Sequence, residues 1–364
     1  MARPSFRLPV LPVLALLALG PVLQAAAPKT AAPPPTPCVE PQVQRLADGM
    51  ARTTLDVMTY NIEGLGFPAR TGRGRELAEI GKRLAKMRRE GDAPDVILFQ
   101  EVFSDAARNA VTMAGYPNTV HGPGRSHKRD LPAAKAEREA AGRRSFKRGE
   151  IGLKLTSGGL AIASRYPIVV HEAEPFAGKS CAGFDCLANK GALFARVMVP
   201  GVPDPIEIFD THMNSRRASH APLRRTLPIF HAQAGELASF IKVVTAAGNP
   251  ILLGGDFNVR NSDARFDFLE PRLPMVLSWR YCLTRPDAGC DIRMSFDGDA
   301  PWMKTQDQQF FRSGARVQIR PIRIEALFDG SEDSPQLSDH DAYRVVYELT
   351  WPAHETTSAK LCKV

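Results

Sequence analysis

The stretch "PILLGGDFNVRNSD" (residues 250–263) decides how this chain is read. Its first half is a short apolar run, long enough for a buried strand and too short for a helix. Two glycines follow, which let another backbone or a ligand come close. Asp256 and Asn258 then stand two apart, on one face of an extended chain. Such an ending is either an Asx-rich turn or one contributor to a site gathered at the carboxyl ends of a sheet.

The same grammar recurs elsewhere. Strand-like runs are "LDVMTYN" (55–61), "DVILFQE" (95–101), "GGLAIAS" (158–164), "GALFARVMV" (191–199), "IEIFDTH" (206–212) and "AYRVVYEL" (342–349). Asn61, Glu101 and the Asp210/His212 pair close three of them with polar groups. "LSDHDAYRVVYELTW" (337–351) inverts the order, placing Asp339, His340 and Asp341 ahead of its strand. An antiparallel last strand would bring that entrance to the same edge. Helical spacing appears in "RGRELAEIGKRLAKMRREG", through Leu77, Ile80, Leu84 and Met87, and in "RTLPIFHAQAGELASFIKVVTAAG", through Leu237, Phe240, Ile241 and Val244. Strands and helices mixed along one chain predict a layered α/β or α+β domain. No internal repeat is visible.

At 364 residues and 44% apolar, the chain can build one large domain or two small ones. Residues 1–27 carry Arg3 and Arg7, an apolar run and small residues near Ala25–Ala27, the pattern of a secretory signal. A membrane anchor is the alternative, opposed by Pro9, Pro12, Pro21 and the short run. Residues 28–45 form a proline-rich lead-in. A catalytic domain is expected over 46–353, with a basic insertion at 122–150, and a tail over 354–364. The six cysteines fit disulfides in an exported chain, the simplest pairing being 181 with 186, 282 with 290 and 38 with 362. Zinc ligation is disfavoured, since no CxxC or Cys/His pair has the spacing. Net charge is +8, and the stretch Arg125–Arg148 holds nine Lys or Arg against three acids. That run is either a solvated insertion or a loop drawn to an anionic surface, nucleic acid or lipid headgroups.

Each motif has its own chemistry. Asn61 and Glu101 offer hard oxygen donors that suit Mg²⁺ with retained waters, or, singly, are turn residues. "DTHMNS" sets Asp210, His212 and Asn214 at alternate positions, on one face of an extended chain. Asp256 can order a water or take a proton, and Asn258 can hold a phosphoryl oxygen. Ser338, Asp339 and His340 cannot form a serine-protease relay, because neighbours in an extended chain point apart. Neither a GxSxG elbow nor an HExxH helix is present. A loop-borne His340 oriented by a nearby carboxylate remains.

In this order, N, QE, DTHxN, GDFN and SDH resemble the endonuclease/exonuclease/phosphatase superfamily of metal-dependent phosphoesterases, over roughly residues 52–350. The resemblance implies a four-layer α/β (α+β) sandwich of two packed mixed β-sheets flanked by helices. It implies Mg²⁺, with Mn²⁺ or Ca²⁺ as substitutes, held by Glu101 with Asn61 and Asp339. His212, Asn214 and Asn258 would meet the substrate phosphate, Asp256 and Asn258 the nucleophilic water, and His340, oriented by Asp339, would act as base or electrostatic partner. The family's late Asp, in "DYI" or "DHI", has its counterpart in Asp307 of "KTQDQQFFRSG", where two glutamines replace the aliphatic residues. "GGLAIASRYPI" and "LANKGALFARV" look like the bacterial sphingomyelinase C branch. A secreted or periplasmic phosphodiesterase acting on a phospholipid headgroup at a membrane surface is therefore expected, with no obligate protein partner. The rivals are an extracellular nuclease and a binding protein that has lost catalysis. That branch uses an aromatic hairpin at membranes; here only Trp279 in "LSWRYC" and Trp302 in "APWMK" offer themselves.

Overall fold

A computed structural model describes residues 41–66, 70–132, 145–293 and 306–357. Fourteen strands among them form two sheets. The eight-stranded sheet contains β1 (Gln44–Arg45), β2 (Met50–Asn61), β3 (Val96–Gln100), β4 (Asn118–His121), β5 (Ala161–Ser164), β11 (Asp291–Arg293), β13 (Gln318–Leu327) and β14 (Ala342–Pro352). Its order is β11-β13-β14-β2-β3-β5-β4, with β1 paired to β2. The six-stranded sheet runs β10-β12-β9-β8-β7-β6. Those strands are β6 (Ile168–Pro175), β7 (Gly191–Val197), β8 (Ile206–His212), β9 (Ile251–Asp256), β10 (Val276–Leu277) and β12 (Asp307–Arg312).

Two parallel pairs position the chemistry. β2 pairs parallel with β3, and β8 with β9. Parallel neighbours need a crossover, and the two helices anticipated from spacing supply them: α1 (Gly74–Glu90), and, after α2 (Asp105–Ala114), α3 (Leu223–Val244). Alternation along the central strands builds the layers. Leu55, Val57, Val96 and Leu98 share one buried core with Leu193, Ile208 and Leu252 of the other sheet. Their sequence neighbours face outward: Met58, Tyr60, Ile97 and Phe99 pack with α1 and α2, and Phe194, Phe209 and Leu253 pack with α3. The result is the expected helix–sheet–sheet–helix sandwich.

The glycines of "LLGGD" let the facing sheet and the neighbouring strand come close. A Cβ on Gly254 would lie 2.5 Å from Leu98 Cδ1, and Gly255 has φ +141° with Thr211 O 2.1 Å from where its Cβ would stand. The two glutamines after Asp307 also bind the sandwich together. Gln309 donates to the carbonyls of Val57 and Tyr343 in the opposite sheet, and Gln308 accepts from the Trp279 indole. That bond, with ring contacts to Phe266, makes Trp279 part of the packing rather than the membrane contact expected of it; Trp302 lies outside the described residues. Disulfides join Cys181 to Cys186 and Cys282 to Cys290. The remaining expected pair, Cys38 with Cys362, falls outside the described residues, as do the expected signal and residues 133–144 of the basic insertion.

Candidate active site

Strand direction brings the polar endings together. β2, β3, β8 and β9 finish at one edge, where β12, antiparallel to β9, begins with Asp307 opposite Asp256. His340 stands just before β14, which runs antiparallel to β2, so the inverted motif reaches the same edge.

Asn61 is fully buried and organises the floor. Glu63 N–H donates to its Oδ1, which fixes the amide so that Nδ2 donates to Glu101 Oε1 and to Asp256 Oδ2, each at 3.1 Å. Asn61 therefore presents a donor to two carboxylates, not an oxygen to a metal. Glu101 follows β3 with φ +61°. Burial lifts its carboxyl to about 7, against the pull of Lys190, Asn61 and His340. Asp256 Oδ2 also lies 3.2 Å from His212 Nε2, while Oδ1 accepts from Asn258 N–H at 2.9 Å. Burial lifts Asp256 to about 6, with His340 and Lys190 opposing and Asp307 reinforcing.

The two histidines are held in opposite states. Burial pushes His212 well below its ordinary value, and the charges of Lys190 and His340 push the same way, so it is neutral. Burial would lower His340 too, but the charge and hydrogen bond of Asp307, then Asp256 and Asp339, override it and raise the imidazole well above its ordinary value. The partner expected for His340 was its neighbour Asp339; the structure corrects this. His340 Nδ1 is 2.6 Å from Asp307 Oδ2, whereas Asp339 is more than half exposed and 4.0 Å from Nε2. Asp339 stays at the surface of the bend before β14, and Asp307 of β12 supplies the partner instead.

Asn214 is a second correction. Its Oδ1 accepts from Ala182 N–H and its Nδ2 donates to Ser215 O, so the amide expected at the substrate braces a loop instead. Asn258 has φ +55° and donates to Met213 O. The buried Arg265 guanidinium clamps this turn, donating to the carbonyls of Asn258 and Asn214 at 3.0 and 2.7 Å. Desolvation lowers Arg265 to about 10.

Lys190 and Asp185 carried no expectation from the sequence. Lys190 Nζ lies 2.9 Å from His212 Nε2 and 3.1 Å from Asp185 Oδ2. Ala192 pairs with Thr211 in antiparallel register, so the residue before β7 arrives beside the end of β8. The "LANKG" phrase held that lysine, but a lone Lys before a strand reads as surface. A cleft of about 620 Å³ lies by Phe311 and Arg312 at the far end of β12; the chemistry is not there.

The donor set suits a hard dication. Among the described residues no three His, Cys, Asp or Glu side chains are spaced to enclose a metal, but Mg²⁺ that keeps its waters needs only one or two carboxylates. Glu101, a desolvated carboxylate steadied by the charge of Lys190 and the amide of Asn61, fits that role.

Solved structures share this architecture. The chain aligns with sphingomyelinase C from Streptomyces griseocarneus at 18% identity and TM-score 0.57, covering 80% of this chain and 99% of that one. A double mutant of beta toxin from Staphylococcus aureus with bound magnesium ions aligns at 17% and 0.55, covering 80% and 99%. TDP2 of D. rerio, complexed with single strand DNA product, aligns at 14% and 0.53, covering 81% and 98%. At these identities the likeness is one of fold. No curated protein matches the sequence. The model of the Endonuclease/Exonuclease/phosphatase family matches residues 58–340, the span that carries every residue of the cluster described above, and the chain belongs to that family.

Proposed function

We propose that this protein is an exported, Mg²⁺-dependent phosphodiesterase that cleaves a choline phospholipid such as sphingomyelin, releasing the phosphorylated headgroup. The observation that carries the phosphodiesterase reading is the Asp307–His340–Asp256 arrangement beside Glu101. His340, kept cationic by Asp307, can offer Nε2–H to a phosphoryl oxygen. Asp256, with its carboxyl near 6, is ionised enough at neutral pH to orient and deprotonate the attacking water. Asn258 fixes Asp256 through its backbone N–H. Lys190, hydrogen-bonded to Nε2 of neutral His212, sets a cation beside the position where charge develops on the leaving oxygen. Mg²⁺ on Glu101 would supply charge neutralisation at the phosphoryl oxygens.

The lipid reading draws support from the "GGLAIASRYPI" and "LANKGALFARV" phrases and from the fold shared with sphingomyelinase C. The leader and the two disulfides support export to an oxidising compartment. Purified protein incubated with sphingomyelin vesicles, and separately with plasmid DNA, with Mg²⁺ or with chelator, tests it. Chelator-sensitive release of phosphocholine is expected. Glu101→Gln should lower turnover by about 10³-fold and weaken Mg²⁺ binding measured calorimetrically. Cleavage of DNA alone would establish the nuclease reading, and inactivity on both with Mg²⁺ present would leave the binding-protein reading.

A further inference from the structure

Ten large apolar side chains are exposed among the described residues, and six of them lie in three cross-bonded segments. Phe146 (72% exposed), Ile151, Leu153 (66%) and Leu155 project from the segment 145–156. Phe184 projects from the loop closed by the Cys181–Cys186 disulfide, and Leu223 from the start of α3. The segments are fastened to one another. Leu155 N–H donates to Leu187 O, Gly183 N–H to Glu150 Oε1, and Phe184 N–H to Ser219 O. Arg225 bonds Glu150 and Cys181 O, and Phe184 Cδ1 overlies Gly149. The surface is thus one braced platform.

Its charge is one-sided. Lys147, Arg148, Lys179 and Arg224 are exposed around the apolar tips. The acids of these segments are engaged: Glu150 is buried against Arg225, and Asp185 holds Lys190. Scattered single apolar residues on a surface are ordinary, but a contiguous set marks a docking site. Protruding aliphatic and phenyl groups within a basic rim suit insertion at a lipid–water boundary, where the tips enter the acyl region and the cations meet anionic headgroups. A nucleic-acid platform would instead be built mainly of aromatic faces, whereas four of the six tips are aliphatic.

We propose that this platform docks the protein on an anionic lipid surface. The loop that displays Phe184 also carries Asp185, which holds Lys190 and through it His212, so docking sets the candidate active site beside the interface. This deepens the phospholipase reading and rests on it only for that orientation; binding itself is read without turnover.

The test is co-sedimentation of the full protein with vesicles of phosphatidylcholine alone and of phosphatidylcholine mixed with phosphatidylglycerol. The wild type should bind the mixed vesicles more tightly. Phe146→Ser with Leu153→Ser should weaken binding to both by about tenfold or more. Lys147→Gln with Arg148→Gln and Lys179→Gln should abolish the preference for phosphatidylglycerol. All these variants should keep the thermal midpoint and the hydrolysis of a small water-soluble phosphodiester. Wild-type binding by the serine variant overturns the proposal. So does loss of single-stranded DNA binding, or of a dimer seen by sedimentation, with vesicle binding intact, since the platform would then serve those partners. Vesicle binding without sphingomyelin hydrolysis would count against the phospholipase reading alone.

Discussion

Two buried polar clusters share the same three strands, and they are built on opposite plans. At one end of β2, β3 and β14 stand Asn61, Glu101 and His340. Deeper along the same elements stand Asp56, Asp95 and Arg344. In this second cluster arginine does the holding: Arg344 lies 2.5 Å from Asp56, 3.3 Å from Asp92 and 3.2 Å from Glu325, and Arg165 lies 3.3 Å from Asp95. In the first, amides, imidazoles and one lysine hold Glu101, Asp256 and Asp307. A guanidinium is permanently charged and forks onto carboxylates, so it locks them. Amides and imidazoles leave carboxylates able to take a cation or exchange a proton. Shifted carboxyls alone do not separate the clusters, since burial lifts both Asp95 and Asp256 to about 6. The identity of the partner does.

The sharpest way to break this contrast is to remove the lock. Arg344→Met should cost about 3–5 kcal/mol of stability, because it strands buried acids without their cation, and denaturant titration would measure it. The folded protein should retain its turnover. Adding Asp56→Asn should recover part of the loss, whereas a mild effect would mean that Arg344 locks nothing. In the active cluster the effects should fall on rate instead. Asp307→Asn should lower turnover by about 10²-fold, as for loss of a charge-stabilising group, with little change in stability. Asp339→Asn should change it less than about threefold, since exposed charges contribute little. Equal losses from the two would restore Asp339 as the partner of His340.

The strands that end in site residues were legible because their interiors are apolar and short. The runs 55–61, 95–101, 206–212 and 250–256 each contain a strand, and both anticipated helices form crossovers. β12 was not legible. "DQQFFR" puts polar groups between the sheets, where Gln309 bridges to Val57 and Tyr343, and hydrophobic patterning is blind to polar residues that point inward. The partner of His340 was misread for a related reason. Its carboxylate comes from 33 residues away, from a strand of the other sheet, and no local pattern encodes how the two sheets pack. Asn214 carried the right chemistry at the right spacing, but β8 ends at His212, so the alternation that would have aimed it at the site stops short. Lys190 needed the β7–β8 register to be seen at all.

A modest, pH-dependent effect tests the locked cluster where it is weakest. Asp95 accepts from Asp56 N–H and from Tyr166, and its arginine, Arg165, is partly open to solvent. Burial first, with repulsion from Asp56 behind it, raises the carboxyl from 3.8 to about 6 against the pull of Arg165. A folded state that holds the proton more tightly than the unfolded chain is stabilised at low pH. That contribution is complete below about pH 4 and is lost as pH rises through about 6. Relative to Asp95→Asn, which cannot titrate there, the wild type should therefore gain about 1–2 kcal/mol between pH 7 and pH 5. Paired denaturant titrations at the two pH values read the difference directly and cancel the other ionisable groups. A gap that does not move with pH would show Arg165 keeping Asp95 ionised against its burial, and Asp95 would not be the weak member of the lock.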